Sequence, residues 1–192
     1  PDHAAALPFY EEALKVGLLP GPRAETQFRA ARCRQELKEY ARAAEAFTAF
    51  LAEHPAEPLA IEAAFRTGEC HLAAQQPKDA RRVWQDLLAA HADSPSPWIA
   101  EASFQLSRSW GLPKPATDAD LELGVAALKD FLTKFPTHKL AAQAHLDIAL
   151  SYVARGRHEN AVRQLTALLA DPRYQAAEAI PQARVLLGQA YR

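Results

Sequence analysis

The chain of 192 residues contains no Met, only 7 Gly and only 2 Cys, and each scarcity excludes something. Few glycines, few β-branched residues and abundant alanine argue against a turn-rich sheet protein and for helix. Two cysteines, Cys33 and Cys70, are too few to define a redox compartment. Neither sign of charge dominates: 22 Lys and Arg stand against 23 Asp and Glu, for a formal net charge of −1. The electrostatic footprint of a nucleic-acid binder or of a protein held on an anionic membrane is therefore missing. No apolar run approaches the roughly 18 residues of a membrane-spanning helix, so direct membrane insertion is not expected. The start, "PDHAAALPFYEEALK", has no basic stretch followed by an apolar one and is not a signal peptide. The absence of any Met, the initiator included, makes the chain read as an excised or processed piece of a longer protein. Catalytic signatures are missing as well: no glycine-rich phosphate loop, no G-x-S-x-G, no H-E-x-x-H and no C-x-x-C. We expect no enzyme, no cofactor and no metal site.

What is present is one helix written several times. "YARAAEAFTAFLAEHP", "KDARRVWQDLLAAHADSP" and "ENAVRQLTALLADP" each space apolar residues three and four apart and then stop. A small residue opens each apolar face at Ala6, Ala43, Ala80, Gly124 and Ala161, in steps of 37, 37, 44 and 37. Four residues later comes a bulky one: Tyr10, Phe47, Trp84, Leu128 and Leu165. Between these helices lies a second set with its small residue at Ala31, Gly68, Ser107, Ala149 and Gly188, preceded by three at Phe28, Phe65, Phe104, Leu146 and Val185. Five residues are inserted in the third unit, within "GLPKPATDAD" (111–120). Two helices per unit, small where backbones approach and large where gaps are filled, describe a helical solenoid.

The motifs "GECH", "GRHENA" and "AAEAFTAFLAEHP" resemble the tetratricopeptide repeat family, and the resemblance runs over essentially the whole chain. It departs from the family pattern in its 37-residue spacing, in Arg34 where an aromatic is usual, and in Phe50 where a small residue is usual. The longer helices look like the repeats of bacterial cell-envelope proteins that help assemble outer-membrane proteins or coordinate the Tol–Pal system. That likeness favours a periplasmic or cell-envelope location. The resemblance implies an all-α, right-handed α-solenoid of antiparallel helix pairs, a superhelix of about ten helices. We expect a single domain over 1–192, with repeats near 23–55, 58–95, 97–136 and 138–172 and partial ones at 1–20 and 176–192. Pro58, Pro77 and Pro97 fit first helical positions, Ser96 and Thr137 fit N-caps, and Gly156 fits a helix stop.

His54 and His91 recur at the C-terminal end of the second helix, where a donor is favoured. His71 stands where Trp110 and Tyr152 stand and reads as a core filler. Cys33 and Cys70 occupy a position that is Ser or Ala in other units and read as buried free thiols, since equivalent points on stacked helices lie roughly 8–10 Å apart, beyond the reach of a disulfide.

In the family the first helix lines a groove. Carried over residue by residue, the groove takes Glu25, Phe28, Arg32, Gln35 and Glu36, then Glu62, Phe65, Glu69 and Leu72, then Glu101, Phe104 and Arg108, then Gln143, Leu146, Leu150 and Val153. Chaperone-binding members clamp a peptide carboxylate with Lys and Asn there; this chain has Phe in place of the Lys, so such a ligand is not expected. Phe28, Phe65 and Phe104 suggest a greasy track, and Glu25, Glu62 and Glu101 an acidic row beside it. The implied function is a scaffold binding a protein or peptide partner, without catalysis and without nucleic acid. The alternative is a spacer that positions other domains of a larger, possibly cell-envelope, protein.

Overall fold

The structure is a computed structural model that describes residues 2–191, the side chain of Pro20 excepted. Among the described residues there are ten α-helices, one short 3-10 turn and no strand. The helices are α1 (His3–Lys15), α2 (Pro20–Glu36), α3 (Tyr40–Glu53), α4 (Ala60–Ala73), α5 (Pro77–Ala90), α6 (Pro97–Arg108), α7 (Asp118–Lys134), α8 (Ala141–Ala154), α9 (His158–Ala170) and α10 (Ala179–Ala190). The chain forms two compact units, one ending at Ala102 and the next beginning at Ser103, so the division falls within α6.

In the first unit helices pack on their sequence neighbours, α1 on α2, α2 on α3, α3 on α4 and α4 on α5. The residues that open each face, Ala43 and Ala80, are fully buried, and so are the bulky Phe47 and Trp84 that follow them. Phe28 meets Phe47 and Phe50 edge-on, with ring centroids 5.5 and 5.7 Å apart. Phe50, large where the family expects small, is thus absorbed as core. Gly68 shows why the other helices keep small residues there. A Cβ on it would lie 2.3 Å from the Trp84 indole nitrogen, and that N–H donates to the Phe65 carbonyl at 3.1 Å. Arg34, the other departure, pairs with Glu11 of α1 at 2.7 Å, so an ion pair stands where an aromatic was expected.

In the second unit α7 packs on α8, α8 on α9 and on α10, and α9 on α10. Its core is aliphatic: Leu121, Leu128, Leu146, Ile148, Leu165 and Leu168, with Phe131 edge-on to Phe104 at 5.6 Å. The inserted loop is built into this core. Leu112 is buried against Gly124, whose Cβ would sit 2.1 Å from a Leu112 methyl. Arg155 ties the far end of the loop, donating to Asp118 at 2.9 Å and to the Ala116 carbonyl at 3.2 Å.

Helix ends follow the sequence in part. Pro77 and Pro97 open α5 and α6, and Gly156 ends α8 at φ +70°. Lys38 and Gln75 take the same left-handed turn, at φ +61° each, seven residues after Ala31 and Gly68. Pro58 lies two residues before α4 begins at Ala60. Thr137 is not a cap: α8 begins at Ala141, and the cap position belongs to Leu140, whose N–H donates to His138 Nδ1 at 3.3 Å. The capping box is at α7, where the Thr117 hydroxyl accepts from the Asp120 N–H and the Asp120 carboxylate accepts from the Thr117 N–H.

A candidate partner-binding face

Sequence neighbours three and four apart on a helix share a face, and that rule governs the fate of the expected acidic row. Glu25 and Glu62 each have an arginine four residues on. Arg29 binds Glu25, and the Arg66 Nε–H donates to Glu62 at 2.7 Å, both side chains of the latter pair being mostly buried. Glu62 is therefore the fixed half of an internal ion pair rather than a free anion. Glu101 has Gln105 at the corresponding place. The repeated E-x-x-x-R spacing, 37 residues apart, was the available signal for these pairs.

The greasy track does not exist as a surface. Phe28, Phe65, Phe104 and Leu146 are all buried. Phe28 turns into Phe47 and Phe50, and Phe104 into Phe131, because each ring fills the gap opened by the small residues of the following helix. Phe65 stacks on Trp98 at 5.1 Å, and the Arg66 guanidinium lies 5.2 Å from the same indole. Trp98, at the start of α6 and half-buried, is the aromatic that reaches this face, and sequence reasoning missed it.

What α2, α4 and the first residues of α6 bring together in the first unit is a connected polar patch. Arg66 donates to the Gln35 side-chain carbonyl at 3.2 Å, and the Gln35 amide donates to Glu69 at 3.3 Å. Glu69 is half-buried, and desolvation holds its pKa above the usual carboxylate value; Arg66 and the Gln35 bond pull it down, while Glu101 and Glu36 push it further up. The charges of Glu36 on α2 and Glu101 on α6 thus both act on Glu69 of α4. Arg32 is exposed on α2. Leu72 is partly buried at the end of α4.

In the second unit the first-helix residues differ in chemistry. Desolvation holds the buried Asp147 above the usual carboxylate value, and the exposed Arg108 only partly offsets this. The Gln143 amide donates to Asp147 at 2.7 Å. Leu150 and Val153 are partly buried. His145 bonds Gln164 and lies against the Tyr174 ring, and its burial pushes its pKa down.

The histidines and thiols settle into structural places. His54 caps α3 and pairs with the Gln27 side chain at 2.7 Å. His91 caps α5. His71 is not a core filler; it is partly exposed and meets the Gln76 side-chain oxygen at 2.8 Å, because α4 ends there. Cys33 and Cys70 are buried and free, and burial, reinforced by Glu69, pushes the Cys70 thiol up to about 12.

Residues 25–56 and 62–94, which span most of α2 to α5, match the tetratricopeptide repeat. These two stretches are tetratricopeptide repeats. No curated protein matches it. Among solved structures it is similar to MamA, at 17% identity and TM-score 0.69 over 91% of this chain and 84% of that one. It is also similar to YrrB, described as a TPR protein with an unusual peptide-binding site, at 18% identity and TM-score 0.65 over 95% and 84%. A third likeness is to the TPR-like repeats of a putative kinesin light chain from Podosopora anserina, at 17% identity and TM-score 0.65 over 88% and 85%. At such identities the likeness is one of fold.

Proposed function

We propose that the chain is a non-catalytic scaffold that binds a basic, partly apolar segment of a partner protein on the first-helix face of its first unit. The carrying observation is that the charges of Glu36 and Glu101 both bear on the half-buried carboxylate of Glu69, in the unit where Trp98 stacks on Phe65 under the Arg66 guanidinium. A desolvated carboxylate with further acids about it, near a flat aromatic, favours a Lys or Arg side chain with an apolar stem. Charge of this kind sets partner choice and encounter rate more than affinity. Glu62 drops out of the binding role, since Arg66 already holds it.

The test is a binding titration with a labelled peptide of alternating Lys and Leu against its Glu-and-Leu counterpart. Glu36→Gln together with Glu69→Gln keeps shape and the Gln35 contact while removing charge. We expect the wild type to prefer the basic peptide and the double variant to lose about tenfold of that preference, roughly 1.4 kcal/mol. Equal binding of both peptides by the wild type, or none, would leave the spacer reading in possession.

A further inference from the structure

A chain of polar contacts links α6, α4 and α2 in the first unit. The Trp98 ring, at the start of α6, lies 5.2 Å from the Arg66 guanidinium. The Arg66 Nε–H donates to Glu62 at 2.7 Å, and its Nη1–H donates to the Gln35 side-chain oxygen at 3.2 Å. An arginine offers donors only, so Gln35 turns its oxygen to Arg66 and its NH2 group away. That NH2 group donates to Glu69 at 3.3 Å. The orientation of the amide, and with it the partner offered to Glu69, is thus set by Arg66.

The other repeats stack without this chain. Where α4 has Arg66, α6 has Gln105 and α8 has Asp147. The register of Gln35 is apolar at Leu72 and Val153, and that of Trp98 is Leu at Leu59 and Leu140. Arg29 is the counterpart on α2, but its side chain is 55% exposed against 14% for Arg66. Taking an ion pair out of water carries a desolvation penalty that apolar side chains of like volume avoid. An arrangement that carries this penalty and occurs in one repeat is not a requirement of helix stacking.

We propose, on the binding role given above, that Gln35, Arg66 and Trp98 are positioning residues that hold the Glu69 carboxylate as an ionised acceptor for a cationic side chain of the partner. An N–H bond to a carboxylate favours its ionised form, and a nearby cation does the same. Both work against burial, the leading influence on Glu69, and against the charges of Glu101 on α6 and Glu36 on α2. Breaking the chain therefore leaves Glu69 protonated over a wider range of pH, and a neutral carboxyl does not select a cation.

The test follows the Glu69 carboxyl carbon by NMR through a pH titration of the carbon-13-labelled chain, with Glu69→Gln to assign the signal. Gln35→Met keeps the length of the side chain and leaves Arg66 paired with Glu62. Arg66→Gln combined with Glu62→Gln removes both charges of that pair, so neither is left alone. In each, Glu69 should titrate about half a pH unit or more above its wild-type midpoint. Trp98→Leu, which installs the residue of the sister repeats, should move it the same way by less. An unchanged or lower midpoint in Gln35→Met overturns the proposal. In a separate arm, preference for the alternating Lys and Leu peptide should fade at a higher pH in Gln35→Met than in the wild type. A preference that fades at the same pH in both also overturns it. If the midpoints move but the wild type never prefers the basic peptide, the hold on Glu69 stands and the binding role fails.

Discussion

At the scale of single residues, close approach decides most outcomes. Trp84 is fully buried, hydrogen-bonded through its indole and seated on Gly68. Trp84→Ala and Phe47→Ala should each cost about 3–5 kcal/mol in a denaturant melt, from lost burial plus a cavity. Gly68→Ala is expected to cost about 1–3 kcal/mol although it adds a good helix former, because the ring cannot retreat within a packed core. A loss below 1 kcal/mol for Trp84→Ala would show that its neighbours collapse into the space. His145 offers a pH handle on the second unit. Its folded pKa lies below the ordinary imidazole value of 6.5, with burial as the leading cause. The stability it supports is therefore complete above about pH 6.5 and is lost as the pH falls through that value and the unfolded chain takes up the proton. The wild type should lose more stability between pH 7.5 and 5.5 than His145→Gln, as read by thermal melts. Equal pH slopes in the two proteins would refute this assignment.

At the scale of helices and turns, the left-handed corners at Lys38, Gln75 and Gly156 show how the repeat is punctuated. Gly156 meets no neighbour, so Gly156→Ala tests backbone conformation alone and should cost about 1 kcal/mol. Lys38 and Gln75 bear the same φ with side chains, and Gln75→Ala should change stability less than Gly156→Ala does, since a Cβ is already accommodated there. The helices themselves were legible, because small and large residues recur at 37 and that spacing leaves one packing register. The destination of each aromatic was not. A helical period places Phe28 and Phe104 on a face but does not say which neighbour covers that face, and the following helix claims both rings. The acidic row failed for a local reason, since the i, i+4 arginines were present in the sequence and take up Glu25 and Glu62. Thr137 looked like a cap by residue type, yet the backbone turns twice more before α8 starts, through bonds of His138 to Phe135 and of Ala141 to His138. Trp98 carried no periodic mark that set it apart from Leu59 and Leu140 in the same register.

At the scale of the whole chain, its packing joins helices that are close in sequence. Contacts of that kind need little loop closure before they form. The principal refolding phase, followed by tryptophan fluorescence after dilution from denaturant, is expected in the millisecond range or faster. A principal phase slower than a second would mean that distant segments must meet before the helices hold. Near balance of charge adds a second expectation: the chain should pass a heparin column unretained at physiological ionic strength, where exposed charges are screened beyond about 8 Å.

The loop at 111–120 has a practical consequence for anyone who cuts or extends this protein. By composition it is the obvious place for a protease to nick or for a tag to be inserted, being rich in Pro and Asp. Its backbone is nevertheless clasped at both ends, by Leu112 on Gly124 and by Arg155 on Asp118 and Ala116. Drawing the whole segment out into extended form means pulling Leu112 from the core and breaking the Arg155 bonds. Grafts are better placed at the turn between α3 and α4, where Pro55, Ala56 and Pro58 lie exposed and no core residue has to move.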